Sequence, residues 1–172
     1  MKPNISLSVL FIAFAAIIFN SCKREGTGTS TLTVHLTDTP AAYEAVHVEV
    51  IGLEVHTNTE GWMTVPVTDT IYDLLQLQDS ANALLGSLVI PAGTLSQVRL
   101  ILGDQNTVTI NSVVYPLSLS SQDESGLKLN VHEELTANEV YTVILDFDAS
   151  QSVIANGNGT YKLKPVITAS FQ

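Results

Sequence analysis

TLTVHLTDTPAAYEAVHVEVIGLEV, residues 31–55, is the stretch whose reading decides the fold. Leu32, Val34 and Leu36 alternate with Thr33, His35 and Thr37. A two-residue period of this kind is a strand with one face buried and one face wet. Val46, Val48 and Val50 repeat the pattern, after which the apolar set slips by one position to Ile51, Leu53 and Val55 around Gly52. A parity slip beside a glycine predicts a β-bulge near 50–52 inside one long strand.

Working outward, further β-type segments are expected at 62–67, 71–77, 97–102, 107–110, 113–117, 127–131, 140–147 and 161–170. Turn signals separate them at Asn58-Thr59-Glu60-Gly61, Pro91-Ala92-Gly93, Asn111-Ser112 and Asn156-Gly157-Asn158-Gly159. Many short strands punctuated this way predict an all-β chain folded as a single β-sandwich. One or two short helical turns are expected, at Ser80 to Leu85 and after Asp38-Thr39-Pro40, where Thr39 can cap and Pro40 suits a first helical position. In the last segment, Pro165 removes a ladder donor and suits an edge or bulged site.

The first 21 residues have a different character. Lys2 is followed by the apolar run LSVLFIAFAAIIF at 7–19 and then by Asn20, Ser21 and Cys22. This is the layout of a secretory signal. The run is shorter than the ~20 residues a helix needs to cross a bilayer. Its end resembles a lipobox, and by that resemblance Cys22, the single cysteine, becomes the lipidated first residue of the mature chain. Phe19 and Asn20 depart from the usual pattern of that motif. Each buried lipid methylene contributes ~0.8 kcal/mol, so two or three acyl chains of the palmitate type make attachment effectively permanent. Residues 23–30 (KREGTGTS) read as a flexible tether spanning roughly 16 Å. The expected division is a lipoprotein signal peptide at 1–21, the lipidated cysteine and tether at 22–30, and the sandwich at 31–172. The expected location is the bacterial cell envelope, anchored to the outer membrane, with the periplasmic or surface face left open.

Two stretches, LTDTPAAYEAVHVEVIGLEVH at 36–56 and VILDFDASQSVIANGNGTYKLKPVI at 143–167, occur in order with VIPAGTLSQVRLIL at 89–102 between them. Together they resemble the domain of unknown function 4382 family of bacterial envelope and secreted proteins. The resemblance implies a transthyretin-like or immunoglobulin-like sandwich and carries no assigned reaction.

Charge and side-chain chemistry narrow the function classes. With 7 Lys and Arg against 17 Asp and Glu, the formal charge is −10. Phosphate binding needs a basic patch, so nucleic acid is not an expected partner. Asp38, Asp146 and Asp148 fall at strand ends and, if those ends meet, offer the hard oxygen ligands calcium takes. The competing reading is that each carboxylate caps its own turn. His35 and His47 would face each other if their strands paired, with Glu49 as a third ligand for zinc or copper. No nucleophile elbow or other positional signature of a catalytic triad is present, so no enzyme and no cofactor is expected. Trp62, the one tryptophan, is either a core edge or a sugar-stacking platform with Tyr43, Tyr72 or Tyr115 as companions. The expected function is therefore non-enzymatic: a tethered domain binding a protein or glycan partner. A structural or adhesive surface component is the alternative, and a metal-dependent hydrolase comes third.

Overall fold

The computed structural model describes residues 28–172 except 68, 69 and 122. The expected signal peptide, Cys22 and most of the expected tether lie outside the described residues. The opening stretch forms β1 (Thr29–Thr39) and β2 (Ala45–Thr57). Next come β3 (Gly61–Thr64), β4 (Thr70–Asp73), β5 (Ala83–Pro91), β6 (Gly93–Leu102), β7 (Thr107–Ile110) and β8 (Val113–Leu119). The chain ends with β9 (Leu127–Leu135), β10 (Val140–Asp148), a single helical turn α1 (Ala149–Ser152), β11 (Val153–Ala155), β12 (Tyr161–Leu163) and β13 (Ile167–Phe171).

These strands make a sandwich of two sheets. The smaller has the order β13-β10-β1-β5, with β1 parallel to β10 and antiparallel to β5. The larger is built around β2. Val50 pairs with both Thr70 and Leu102, and His47 with both Asp73 and Thr107. A residue with two partners has them on opposite edges, so β3 and β4 follow one edge of β2 while β6 and β7 follow the other. Beyond them lie β9 beside β6, and β8, β12 and β11 beside β7. The parity slip is real: pairing of β2 with β6 shifts between Val50 and Gly52. Before it Val46, Val48 and Val50 face inward, after it Leu53 and Val55, all at most 1% exposed. They pack against Leu32, Val34 and Leu36 of β1 and Val143, Leu145 and Phe147 of β10 in one core. Among the described residues no helix is long and apolar enough to cross a membrane.

Three local expectations are corrected. Residues 80–85 form no helix: Asp79 and Ser80 turn at positive φ, and Ala83 to Leu85 enter β5. Pairing with β1 overrides the helical preference of Ala and Leu. Residues 40–44 are irregular; the helical turns are a 3-10 turn at Leu74–Leu77, capped by Asp73, and α1, capped by Asp148. The run 161–170 is two strands, because the chain crosses at Pro165 from the larger sheet (β12) to the smaller (β13).

Candidate functional site

Residues on β2 that are not in the core line the outer face of the larger sheet. Register builds two rows there across four strands. One row is Trp62, His56, Gln97 and Asn130, and the other is Thr64, Glu54, Arg99 and Lys128. Side chains directly opposite and diagonal on one face lie within reach of each other. The Arg99 guanidinium carbon accordingly stands 4.0 Å from the centroid of the Trp62 ring, and Arg99 Nη1 donates to Glu54 Oε2 at 2.5 Å. The glycine at 126, with φ near +95°, lets the backbone press on this arginine: a Cβ there would be 2.9 Å from its Cγ and Cδ. Arg99 Nε is buried with no protein partner.

His56 completes the aromatic side. Its ring meets Trp62 edge-on with centroids 5.1 Å apart. Ser96 Oγ donates to the His56 carbonyl, and the same hydroxyl lies 2.8 Å from His56 Nδ1. A hydroxyl has one hydrogen, so Nδ1 is the donor in this pair. Gln97 Nε2 donates to Asn130 Oδ1 at 2.7 Å, and the Lys128 ammonium lies 5.9 Å from the Trp62 centroid. Among the described residues Lys128 has no ion-pair partner. Trp62 itself keeps 36% exposure. The arrangement is an indole flanked by two cations and by amide, imidazole and carboxylate groups, in an otherwise acidic protein.

The same outer face continues along β2 to a cleft of about 1070 Å³. Ile51, 43% exposed, and Leu117 supply apolar lining, while Asp104, Glu124, Tyr161 and Lys162 supply polar lining. One wall is the β6–β7 loop, which Glu49 holds. The Glu49 carboxylate accepts from Gln105 N and Nε2 at 2.9 and 2.8 Å, and its own N–H donates to Asn106 Oδ1 at 2.9 Å. A Cβ on residue 103 would stand 2.0 Å from Glu49 Oε2, so any side chain there would displace the carboxylate that holds the loop.

The structure separates several residues that sequence reasoning grouped. His35 and His47 lie in different sheets, because β1 pairs with β5 and β10 and never with β2. Their rings reach Asn82 and Thr107, and Glu49 is committed to its loop. Tyr43, Tyr72 and Tyr115 are not companions of Trp62. Tyr115 packs on Tyr161 at 4.9 Å, and Tyr72 lies on β4 against the core. Asp38 and Asp148 do stand at adjacent strand ends, with Asp38 opposite Phe147 and Asp148 opposite Thr39. Strand parity turns Asp38 inward and Asp146 and Asp148 outward. Asp38 is 5% exposed and accepts from Ala149 N and Gln78 Nε2, both at 3.0 Å. Burial pushes its carboxyl above the ordinary value of 3.8, against those two hydrogen bonds and with help from the charges of Asp146 and Asp148. Asp146 accepts from Thr39 Oγ1, and Asp148 from Ser150 Oγ, Gln151 N and Gln151 Nε2. The Ser150 bond, with those from Gln151, pulls Asp148 below 3.8. Each carboxylate thus has protein donors, and among the described residues no three His, Cys, Asp or Glu gather closely enough to hold a metal ion.

What sequence reading missed was the company of Trp62. Arg99, Lys128 and His56 are scattered over three strands, and only the registers bring them together.

No curated protein and no solved structure matches this chain. A family model does, over residues 29–165, from the first residue of β1 to the corner at Pro165. With every strand but β13 and the whole buried core inside that span, the chain belongs to the family described as Domain of unknown function (DUF4382).

Proposed function

We propose that this chain is a lipid-tethered envelope protein whose sandwich binds a glycan on the outer face of its larger sheet, without catalysing a reaction. The observation that carries the reading is the partly exposed Trp62 ring held against Arg99 with polar side chains around it. A pyranose presents a C–H face that packs on an indole, and its hydroxyls pair with the amide, imidazole and carboxylate groups alongside. Ligand sites combine apolar contact with a few placed polar groups in this way. The cleft beyond Ile51 extends the same face, which suits a chain of sugars better than a single one. Tethering rests on the signal-like segment ending at Cys22.

The test is a glycan array probed with residues 28–172, followed by Trp62→Ala. The parent domain is expected to retain at least one glycan class, and the variant to lose about tenfold in affinity, ~1.4 kcal/mol, with unchanged circular dichroism. No retained glycan, or equal binding by the variant, overturns the proposal.

A further inference from the structure

We propose that β5 is a pairing edge through which two copies of this chain associate antiparallel. Among the described residues β5 ends the smaller sheet and has β1 as its one strand partner, while residues 65–67 pack on its buried face at Gly86, where a Cβ would stand 2.5 Å from the Pro66 carbonyl oxygen. An open edge offers unpaired backbone donors and acceptors to any second strand, so folded proteins keep such edges short or charged. The other terminal strands here obey that rule. β3 and β4 have four residues each, β11 three and β13 five. β9 has nine residues but carries Lys128, His132, Glu133 and Glu134. Among these edges β5 is the exception in length and charge: nine residues, ALLGSLVIP, with no charge, and with its one proline, Pro91, only at the last position. The uncharged run extends from Ser80 to Val98 in a protein of net charge −10.

Its exposed side chains are apolar as well. Leu84 is 56% and Val89 59% exposed. Their separation by an odd number of positions would normally put them on opposite faces. The irregularity opposite Val34 and His35 absorbs one residue, Leu85, into the core, so Leu84 pairs with His35 and Val89 with Thr31 on the same outer face. An antiparallel mate would bring the Leu84 end of one copy beside the Val89 end of the other, twice, about a two-fold axis. A contact of that kind is self-complementary and closes at two.

A second copy is the occupant the charges favour. The rest of this acidic surface repels itself, and the uncharged edge is where two copies approach without like charges meeting. The dimer would have one continuous sheet of double width and two Trp62 faces. Two sites on one particle raise avidity for a repeating ligand without any new contact. The pairing stands whether or not that ligand is a glycan.

Sedimentation of residues 28–172 over a wide concentration range tests this, since the whole core lies between Leu32 and Leu163 and the lipid is not needed. The parent is expected to double in mass as concentration rises. Val89→Lys, at an exposed edge position, is expected to stay monomeric with an unchanged melting temperature. Val140→Lys serves as the control, because Val140 is 67% exposed on the same face but lies away from the edge; it is expected to dimerise like the parent. A parent that stays monomeric throughout overturns the proposal. So does loss of dimer in Val140→Lys with retention in Val89→Lys, which would mean a face contact instead of edge pairing.

Discussion

Asp38 and Asp148 end neighbouring parallel strands, and their surroundings move their protons in opposite directions. The sign matters for stability. Asp148 is held below its ordinary value, so the ionised form favours the fold; that contribution is present above pH 3.8 and is lost as pH falls through the lowered value. Asp38 is raised, so its contribution is full below pH 3.8 and is lost as pH rises through the raised value. Asp148→Ala also removes the cap of α1, worth about 1 kcal/mol at neutral pH. The gap in stability between this variant and the parent is expected to shrink on acidification below pH 3.8. Urea titrations at neutral and acid pH check it, and a gap that grew at acid pH would contradict the assignment. The aspartates were visible in the sequence as strand-end residues, and the turn-capping reading fits Asp148, which accepts from Ser150 and Gln151 of its own turn, whereas Asp38 accepts from Ala149 and Gln78 and Asp146 from Thr39. Their division between two faces was not visible, since it depends on the parallel register of β1 and β10.

At the scale of elements, β2 is the hub of the larger sheet, paired along both edges and buried on its inner face. Its amides are expected to be among the slowest to exchange with deuterium, and those of the three-residue β11 and β12 among the fastest in strands. Hydrogen exchange followed by mass spectrometry reads this directly; equal rates in β2 and the β11–β12 hairpin would contradict it. β2 was also the most legible element, since the alternation of Val46, Val48 and Val50 and the slip at Gly52 record burial of one face. The turns at Asn111-Ser112 and Asn156 to Gly159 were legible for a similar reason, because positive φ at Asn111, Ser112, Gly157 and Gly159 leaves a mark in residue type. β5 was not legible as a strand. Ala-Leu-Leu-Gly has no period of two when a bulge removes one residue from the count, and its local preference points to helix. The Trp62 cluster was half legible: a lone tryptophan after a turn is conspicuous, but Arg99 and Lys128 reach it only through the registers of β6 and β9.

For the whole molecule, the proposed lipid anchor makes a separate forecast. Cys22→Ser is expected to move the protein out of the membrane fraction while leaving its melting temperature unchanged, because the core starts at Leu32. Fractionation with and without labelled fatty acid checks this; a variant that stayed with membranes unlabelled would contradict lipid attachment. The parallel pairing of β1 with β10 bears on how the molecule comes into being. Thr33 meets Thr142 across 109 positions of chain, so β1 has no partner on that edge until β10 has been made. Topologies dominated by such distant contacts fold slowly. A chain that cannot complete its fold while it is being made stays threadable, which is the state an export pore accepts, and during that wait the uncovered apolar face of β1 is what a holding chaperone would grip.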